Sequence, residues 1–272
     1  MSTRTLNESA TLALAAALAL CACGSDGTTG KMVVLHTRIV NDLPADHTVT
    51  TSMGWVVTLK KAAVGSGAMY YYDGEPAFTQ APGRSRLQRF FAALSPVATA
   101  WAHPGHYIEG SPKGQMLEDF SVDLMAGAAT LPDGNGISGL TRSATFSFAA
   151  HAAGPAVAAL GGHVVTTEGS ASKDGQTVNF TLTADLADVS KTAKDGQVTG
   201  CTFKEVTVEA DGTVTITIKP RVWFSLVDFA GIAPGTPEAP TLIGADTTAH
   251  IGFALGLGQL SAYEFEYAPA AL

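Results

Sequence analysis

The sequence predicts a mainly β protein, an antiparallel β-sandwich or an open barrel, with one short amphipathic helix. Polar and apolar residues alternate in segments such as TVNFTLTADL (177–186) and SATFSFAAHA (143–152), which are rich in Val, Thr, Ile and Phe. A strand with one buried face has this period of two. Asp-Gly pairs, as at 211–212, fall between or beside these segments and are typical of hairpin turns. Roughly ten such segments favour a sandwich or a barrel.

The predicted strands follow one another along most of the chain. In order, they are KMVVLHTRIV (31–40), GWVVTLKKAAV (54–64), AMYYYDG (68–74), EDFSVDLM (118–125), SATFSFAAHA (143–152), GGHVVTTEG (161–169), TVNFTLTADL (177–186), CTFKEVTVEADGTVTITIKP (201–220), RVWFSLVDF (221–229), AHIGFALGL (249–257) and SAYEFEYA (261–268). LPDGNGISG (131–139) predicts a turn, since it lacks the further carboxylates of a calcium loop.

The segment GRSRLQRFFAALSPVATAW (83–101) departs from the alternation. Apolar residues recur there at spacings of three and four, at Leu87, Phe90, Phe91 and Leu94, with arginines between them. This period predicts a short amphipathic helix that ends before Pro96. Such a helix either packs on the β-structure or rests against lipid headgroups.

The first 30 residues predict export rather than a folded element. Arg4 precedes the apolar run ATLALAAALAL (10–20), which is too short to span a bilayer and fits the core of a signal peptide. The run ends in LCAC, where Leu20 lies three residues before Cys23 and the small Ala22 directly before it.

These residues resemble the lipobox of bacterial lipoprotein precursors. The resemblance implies a signal peptide over 1–22, cleavage before Cys23 and a lipid on its thiol. The alternatives are an ordinary secretory cleavage or an uncleaved anchor. The resemblance places the protein in the cell envelope, at the outer membrane, facing the periplasm or the surface. The Gly- and Thr-rich residues that follow predict a flexible tether over 23–30, and a single β-rich domain then occupies 31–272.

Composition excludes several classes of protein. With 16 basic and 24 acidic residues the formal net charge is −8, and the chain has no basic run, so nucleic acid is not an expected partner. The expected partners are instead the membrane, through the N-terminal lipid, and another envelope protein. The sequence has no G-x-S-x-G, H-E-x-x-H or phosphate-binding motif, and we expect no enzymatic activity.

The turn WAHPGHYIEG (101–110) is the strongest candidate for chemistry. Pro104 and Gly105 favour a type II turn, which brings the flanking His103 and His106 towards one point. Two imidazoles are half of a tetrahedral zinc or copper site, and Tyr107 is a third candidate ligand. The alternative interpretation of this segment is a purely structural turn.

Other residues are weaker candidates for completing a metal site. His151 and His163 bracket an Ala- and Gly-rich connection and would approach each other across a hairpin. Cys201 is a lone thiol once Cys23 carries lipid, and a small buried residue in a strand is its simpler interpretation.

Two functions remain open at this stage. The first is a non-catalytic envelope lipoprotein that binds or carries copper or zinc through the turn at 103–107. The second is a lipid-tethered adhesion or assembly module that contacts another envelope protein or a glycan. Its contact surface would include aromatic residues, namely Tyr70, Tyr71, Tyr72, Trp223, Phe224 and Phe229.

Overall fold

The computed structural model describes residues 30–77 and 107–270. The leader over 1–22, Cys23, most of the tether, the predicted amphipathic helix, His103 and His106 lie outside the described residues. From Lys31 onwards the chain forms one compact unit. In the described part of the chain, none of the helices has the length and apolar character needed to cross a bilayer.

Fifteen strands are present among the described residues. They are β1 (Met32–Asn41), β2 (Thr48–Thr50), β3 (Val56–Ser66), β4 (Met69–Tyr72), β5 (Pro112–Met116), β6 (Phe120–Asp123), β7 (Ala129–Thr130), β8 (Gly134–Ile137), β9 (Gly139–Ser147), β10 (Val165–Lys173), β11 (Gln176–Ala184), β12 (Gln197–Val208), β13 (Gly212–Ile218), β14 (Thr241–Leu242) and β15 (Tyr263–Pro269). The α-helices of the same residues are α1 (Val157–Leu160), α2 (Leu186–Val189), α3 (Pro220–Trp223) and α4 (Thr248–Leu257).

Eight strands close into a barrel, in the order β13-β15-β12-β9-β4-β5-β8-β1 and back to β13. The closing pair, β1 with β13, is parallel and runs from Leu35 opposite Gly212 to Asn41 opposite Ile218. The prediction of a mainly β fold is therefore confirmed. The architecture differs from an open barrel because this pairing closes the ring, and it is not purely antiparallel, since β12 and β15 also pair in parallel.

Side chains fill the interior of the barrel. Along β1, Val33, Leu35 and Ile39 point inwards and are buried, as the alternation predicts. The rings of Tyr71, Phe203 and Phe265 pack together with centroids 5.6 to 6.1 Å apart. A cavity of about 10 Å³ lies among Leu35, Tyr71 and Phe203, at the lower limit of the volume that one water molecule needs. Among the described residues, side chains therefore fill this part of the barrel interior.

The second sheet has the order β14-β11-β10-β3-β2, and β6 pairs off this path with the C-terminal part of β3. Its inner face and the helices α2, α3 and α4 share one hydrophobic core with the barrel, whereas Leu160 of α1 packs in a separate small cluster with Ala63, Ala149, Ala152 and Ala156. The ring of Phe180 on β11 packs against Phe224 and Phe229, and Trp223 donates a hydrogen bond to the hydroxyl of Tyr263 on β15. These rings bury the region that joins sheet and barrel.

Two of the predicted strands are wrong. Residues 249–257 lie in helix α4, which begins after the N-cap Thr247, whose side chain accepts from the His250 N–H. Gly252 and Gly256, four residues apart, let the helix backbone approach the chain at Leu226 and Trp223 so closely that a Cβ would lie 2.3 Å from a carbonyl oxygen. A helix that is apolar on all sides carries no period of 3.6, and its sequence therefore resembles that of a strand.

The segment 221–229 is the second wrong strand. It forms the end of α3 and the turns that follow, because Pro220 at the first helical position favours a helix start. The rings of Trp223, Phe224 and Phe229 are buried, so they do not belong to an exposed contact surface. Tyr71 is buried as well, whereas Tyr70 and Tyr72 are partly exposed.

Five strands escaped prediction, namely the short β2, β7 and β14 and two strands that contain glycine in place of apolar residues. The latter two are β5 (PKGQM) and β8 (GNGI), the second of which lies in the predicted turn 131–139. At Gly114 and Gly136 a Cβ would lie 2.8 and 2.9 Å from the Cδ1 of Leu35. The two glycines therefore make room for Leu35 inside the barrel, and the alternation of hydrophobic residues is lost.

Candidate functional site

The residues on either side of 78–106, at 72–77 and 107–112, are hydrogen-bonded to each other and form a narrow stem. The Asp73 N–H donates to the Ser111 carbonyl at 3.2 Å, and the Asp73 Oδ1 accepts from the Ser111 N–H at 2.7 Å. The Lys113 ammonium lies 3.2 Å from the second carboxylate oxygen of Asp73. The stem thus continues the β4–β5 pair beyond the barrel and holds both ends of the segment that carries His103 and His106.

The electrostatics of the stem favour an ionised Asp73. Burial alone would raise the pKa of this carboxyl, but the hydrogen bonds from Ser111 and Lys113 and the lysine charge outweigh it and lower the pKa. The Gly74 N–H also donates to the Glu109 carbonyl at 3.1 Å. Side-chain and backbone bonds therefore both fix the stem.

Ala77 and Tyr107, which lie at the end of the stem next to 78–106, both contact the barrel wall at Gly200. The Ala77 N–H donates to the Gly200 carbonyl at 3.1 Å. Gly200 has a φ of +86° and lies where the register between β12 and β9 shifts. A Cβ at this position would lie 2.7 Å from the Cβ of Ala77 and 3.2 Å from the ring of Tyr107. Only glycine fits, because it tolerates both the positive φ and the close approach.

Tyr107 is bonded to the outside of the barrel. Its hydroxyl lies 2.6 Å from the Oγ of Ser143, a buried residue of β9. Burial, together with the nearby Glu109 and Tyr72, raises the pKa of the Tyr107 phenol to about 12, although the Ser143 bond acts in the opposite direction. A phenolate ligand is therefore disfavoured at neutral pH, and the hydroxyl is already occupied.

Cys201 lies beside the stem but faces the core. It is wholly buried, pairs with Ala144 of β9, and its Sγ contacts the Val198 carbonyl at 3.1 Å. Burial raises the pKa of the thiol to about 12. Because metals bind the thiolate, these surroundings fit the interpretation of Cys201 as a small buried residue.

Within the described part of the chain, His151 and His163 share no hydrogen-bond partner. His151 is exposed in a turn. The Nδ1 of His163 lies 2.7 Å from the Oδ1 of Asp185, the N-cap of α2, which leaves its Nε2 without a bond to the described residues. The helix also presents Asp188, whose Oδ2 lies 3.7 Å from the Nε2 of the buried His250.

No group of three or more His, Cys, Asp or Glu side chains is placed to hold a metal ion within residues 30–77 and 107–270. Of the predicted site residues, the structure brings Tyr107 and Cys201 to the same part of the barrel wall, on either side of Gly200. His103 and His106 fall outside the described residues.

Sequence reasoning missed the residues that hold the stem, namely Asp73, Ser143 and Gly200. The Asp-Gly pair at 73–74 is read as a turn signal, and Ser143 is one polar residue in an alternating strand. Only the isolated glycine at 200, inside an otherwise strand-like segment, signals a bulge or a close backbone approach.

Comparison of the chain with protein-family models, with curated proteins and with solved structures found no match.

Proposed function

We propose that the chain is a non-catalytic lipoprotein of the bacterial envelope that binds a copper or zinc ion through His103 and His106. In this proposal residues 1–22 direct export, lipid on Cys23 holds the protein at the outer membrane, and residues 23–30 tether the single domain over 31–272. The imidazole nitrogens of the two histidines supply ligands suited to either metal.

The observation that carries the proposal is the attachment of Tyr107. This residue directly follows His106, and its hydroxyl bonds to Ser143 on the barrel wall. The other end of the same segment is held where Ala77 bonds to Gly200. A short turn with an anchored neighbour loses less conformational freedom when a ligand binds, and this preorganisation raises affinity.

We assign Tyr107 to this anchoring rather than to the metal. Its hydroxyl is occupied and its pKa is raised to about 12, so the neutral phenol is favoured. Cys201 is excluded from the proposed ligand set because its thiol is buried and its pKa is also raised to about 12. His163 keeps a free Nε2 oriented by Asp185, an arrangement typical of metal-bound histidines, and it stays a weaker candidate with His151.

Metal analysis of protein purified without its signal peptide tests the proposal. We expect about one copper or zinc ion per chain in the wild type and none after the double change His103→Ala plus His106→Ala. The control, His36→Ala, removes an exposed histidine outside this set of candidate ligands and should leave the metal content unchanged. Equal metal content in all three proteins, or none in any, would contradict the proposal.

The lipid anchor has its own test. Mass spectrometry of protein extracted from membranes should find a mature N-terminus at Cys23 that carries the mass of a diacylglycerol. A Cys23→Ser variant should stay unprocessed and lack that mass. An unmodified N-terminus at another residue of the wild type would remove the anchor from the proposal.

A second candidate function, contact with another envelope protein or a glycan, is favoured by a different observation. A cavity of about 470 Å³ opens beside the edge strand β2, lined among others by Asp42, Thr50 and Arg221. This surface replaces the aromatic contact surface that the sequence suggested, since Trp223, Phe224 and Phe229 are buried.

A further inference from the structure

The cavity beside β2 has the hydrogen-bonding geometry of a strand-binding groove. We name it the β2 groove and define it by its lining residues Thr48, Thr50, Arg221, Ser225, Gln259 and Ser261. A second cavity of about 490 Å³ shares Gln259 and Ser261 with it. The groove therefore belongs to an extended depression rather than to an isolated pit.

The edge strand β2 turns unpaired backbone groups towards the groove. β2 pairs only with β3, at one end of the second sheet. The Leu59 N–H donates to the His47 carbonyl, and the Thr51 N–H donates to the Trp55 carbonyl. The backbone N–H and C=O groups of residues 47, 49 and 51 therefore point towards β3. It follows that Thr48 and Thr50 direct their backbone groups away from β3.

Among the described residues, the outward groups of Thr50 have no partner. The Thr48 N–H is satisfied by the Asp46 carboxylate at 3.3 Å, which leaves the Thr48 carbonyl and both groups of Thr50 open. The next outward group, the Ser52 N–H, donates to the Ser225 carbonyl at 2.8 Å. That bond closes one end of the groove. An incoming chain would continue the same row of backbone hydrogen bonds along β2.

Asp42 gives the groove a further acceptor. Its Oδ2 is held by the guanidinium of Arg221, while its Oδ1 is buried and has no hydrogen-bond partner. A buried acceptor without a donor is unfavourable, and an N–H from a bound chain would satisfy it. The open backbone groups of Thr48 and Thr50 and the unpaired carboxylate oxygen of Asp42 can all form hydrogen bonds with the backbone of a polypeptide.

We propose that the β2 groove binds an extended peptide segment of a partner protein, which adds to β2 as a new edge strand. The segment would exchange two backbone hydrogen bonds with Thr50, accept none from the occupied Thr48 N–H, and donate to the Thr48 carbonyl and to Asp42. This proposal deepens the second candidate function and is independent of the metal proposal.

The tether proposed from the sequence is too short to reach the groove. β1 starts next to the tether and ends at Asn41, directly before Asp42, so ten residues of strand, about 33 Å, separate the two. If Cys23 is the mature N-terminus, residues 24–30 span at most about 25 Å. The last strand, β15, ends opposite Gly212, near the start of β1. Residue 31 and the end of β15 therefore both lie near the start of β1, the length of this strand away from the groove.

Binding of selected peptides tests the proposal. Random dodecapeptides displayed on phage are panned against the chain from residue 24 onwards, and the Kd of an enriched synthetic peptide is measured by calorimetry. Thr50→Pro removes the outward N–H and should weaken binding at least tenfold. Leu242→Pro places proline at the outward-facing residue of β14, the opposite edge of the same sheet, and should leave the Kd unchanged.

Hydrogen exchange on the wild-type chain gives a second readout that needs no variant. The Thr50 amide should exchange at least tenfold more slowly when the peptide is bound, while the Leu242 amide should not change. Equal Kd values for wild type and Thr50→Pro, or unchanged exchange at Thr50, would overturn the proposal. So would the absence of any enriched peptide, or the binding of chitotriose in the groove in place of peptides. None of these results depends on metal content.

Discussion

The closed barrel and the second sheet differ in what they leave available to other molecules. The barrel has a paired neighbour for every strand in the ring and an interior filled by rings such as Phe265. The second sheet ends in β2, whose Thr50 turns backbone groups to an open groove. The comparison teaches that the barrel leaves little surface for backbone pairing, so that both proposed binding sites lie outside its interior, next to the stem on its wall and at the edge of the second sheet.

The largest expected effect comes from emptying the barrel core. Phe265 is wholly buried between Tyr71 and Phe203, so Phe265→Ala should lower the free energy of unfolding by about 3–5 kcal/mol. Val56→Ala on the exposed side of β3 should change it by no more than about 0.5 kcal/mol. Urea denaturation measures both. A small loss for Phe265→Ala would mean that the barrel is not packed as described.

The second effect concerns the contact between stem and barrel. Gly200→Ala should destabilise the protein because its Cβ would collide with Ala77 and because φ is positive. Gly231 is the matched control, with a φ of +78° and open space around it. We expect Gly200→Ala to cost about 1–3 kcal/mol more than Gly231→Ala, again in urea. Equal losses would show that the stem does not lie against Gly200.

A smaller effect is expected for the bond that fixes the end of the stem. Tyr107→Phe removes the hydrogen bond to Ser143 and should lower the free energy of unfolding by about 1 kcal/mol. Ser143→Ala is the partner change, and the double variant should lose less than the sum of the two single variants. Fully additive losses would argue against a direct bond.

The same pair predicts a pH dependence. The pKa of Tyr107 is about 12 in the folded protein against about 10 for a free tyrosine, so its contribution is complete below pH 10 and is lost as the pH rises to 12. Other buried tyrosines act in the same direction, and the informative quantity is the difference between proteins. The stability of Tyr107→Phe should fall less steeply than that of the wild type over this range. Identical slopes would contradict the raised pKa.

The smallest effect is expected at Cys201. Because burial raises the pKa of its thiol to about 12, an alkylating reagent at pH 8 should not modify it in the folded chain and should modify it fully in urea. Cys201→Ala should leave the copper or zinc content unchanged. Rapid alkylation of the native chain would return Cys201 to the set of candidate ligands.

The alternation of residues predicted the fold where strands carry one apolar face, as in β1, β11 and β13. It failed where packing departs from that rule. Gly114 and Gly136 replace apolar residues to admit Leu35, and helix α4 has no polar face that would reveal its period. Neither feature is local, since each depends on a neighbour distant in sequence.

The candidate site was likewise predicted only in part from the sequence. The sequence singled out Tyr107 through its position beside two histidines, but not its role as an anchor, which depends on Ser143 and Gly200 far along the chain. The β2 groove has no sequence signal at all. Its residues come from β2, α3 and the turn at 259–261, which the fold alone brings together.

The central claim is that the proposed metal-binding turn is held next to the barrel wall. Paramagnetic broadening by Cu²⁺ tests this claim most directly. Substoichiometric Cu²⁺ added to ¹⁵N-labelled protein should broaden the amide signals of Tyr107 and Gly200 first and leave that of Thr50 sharp. In the His103→Ala plus His106→Ala variant, the signals of Tyr107 and Gly200 should not broaden. Broadening that begins at His163 or at Thr50, with Tyr107 and Gly200 unaffected, would contradict the account.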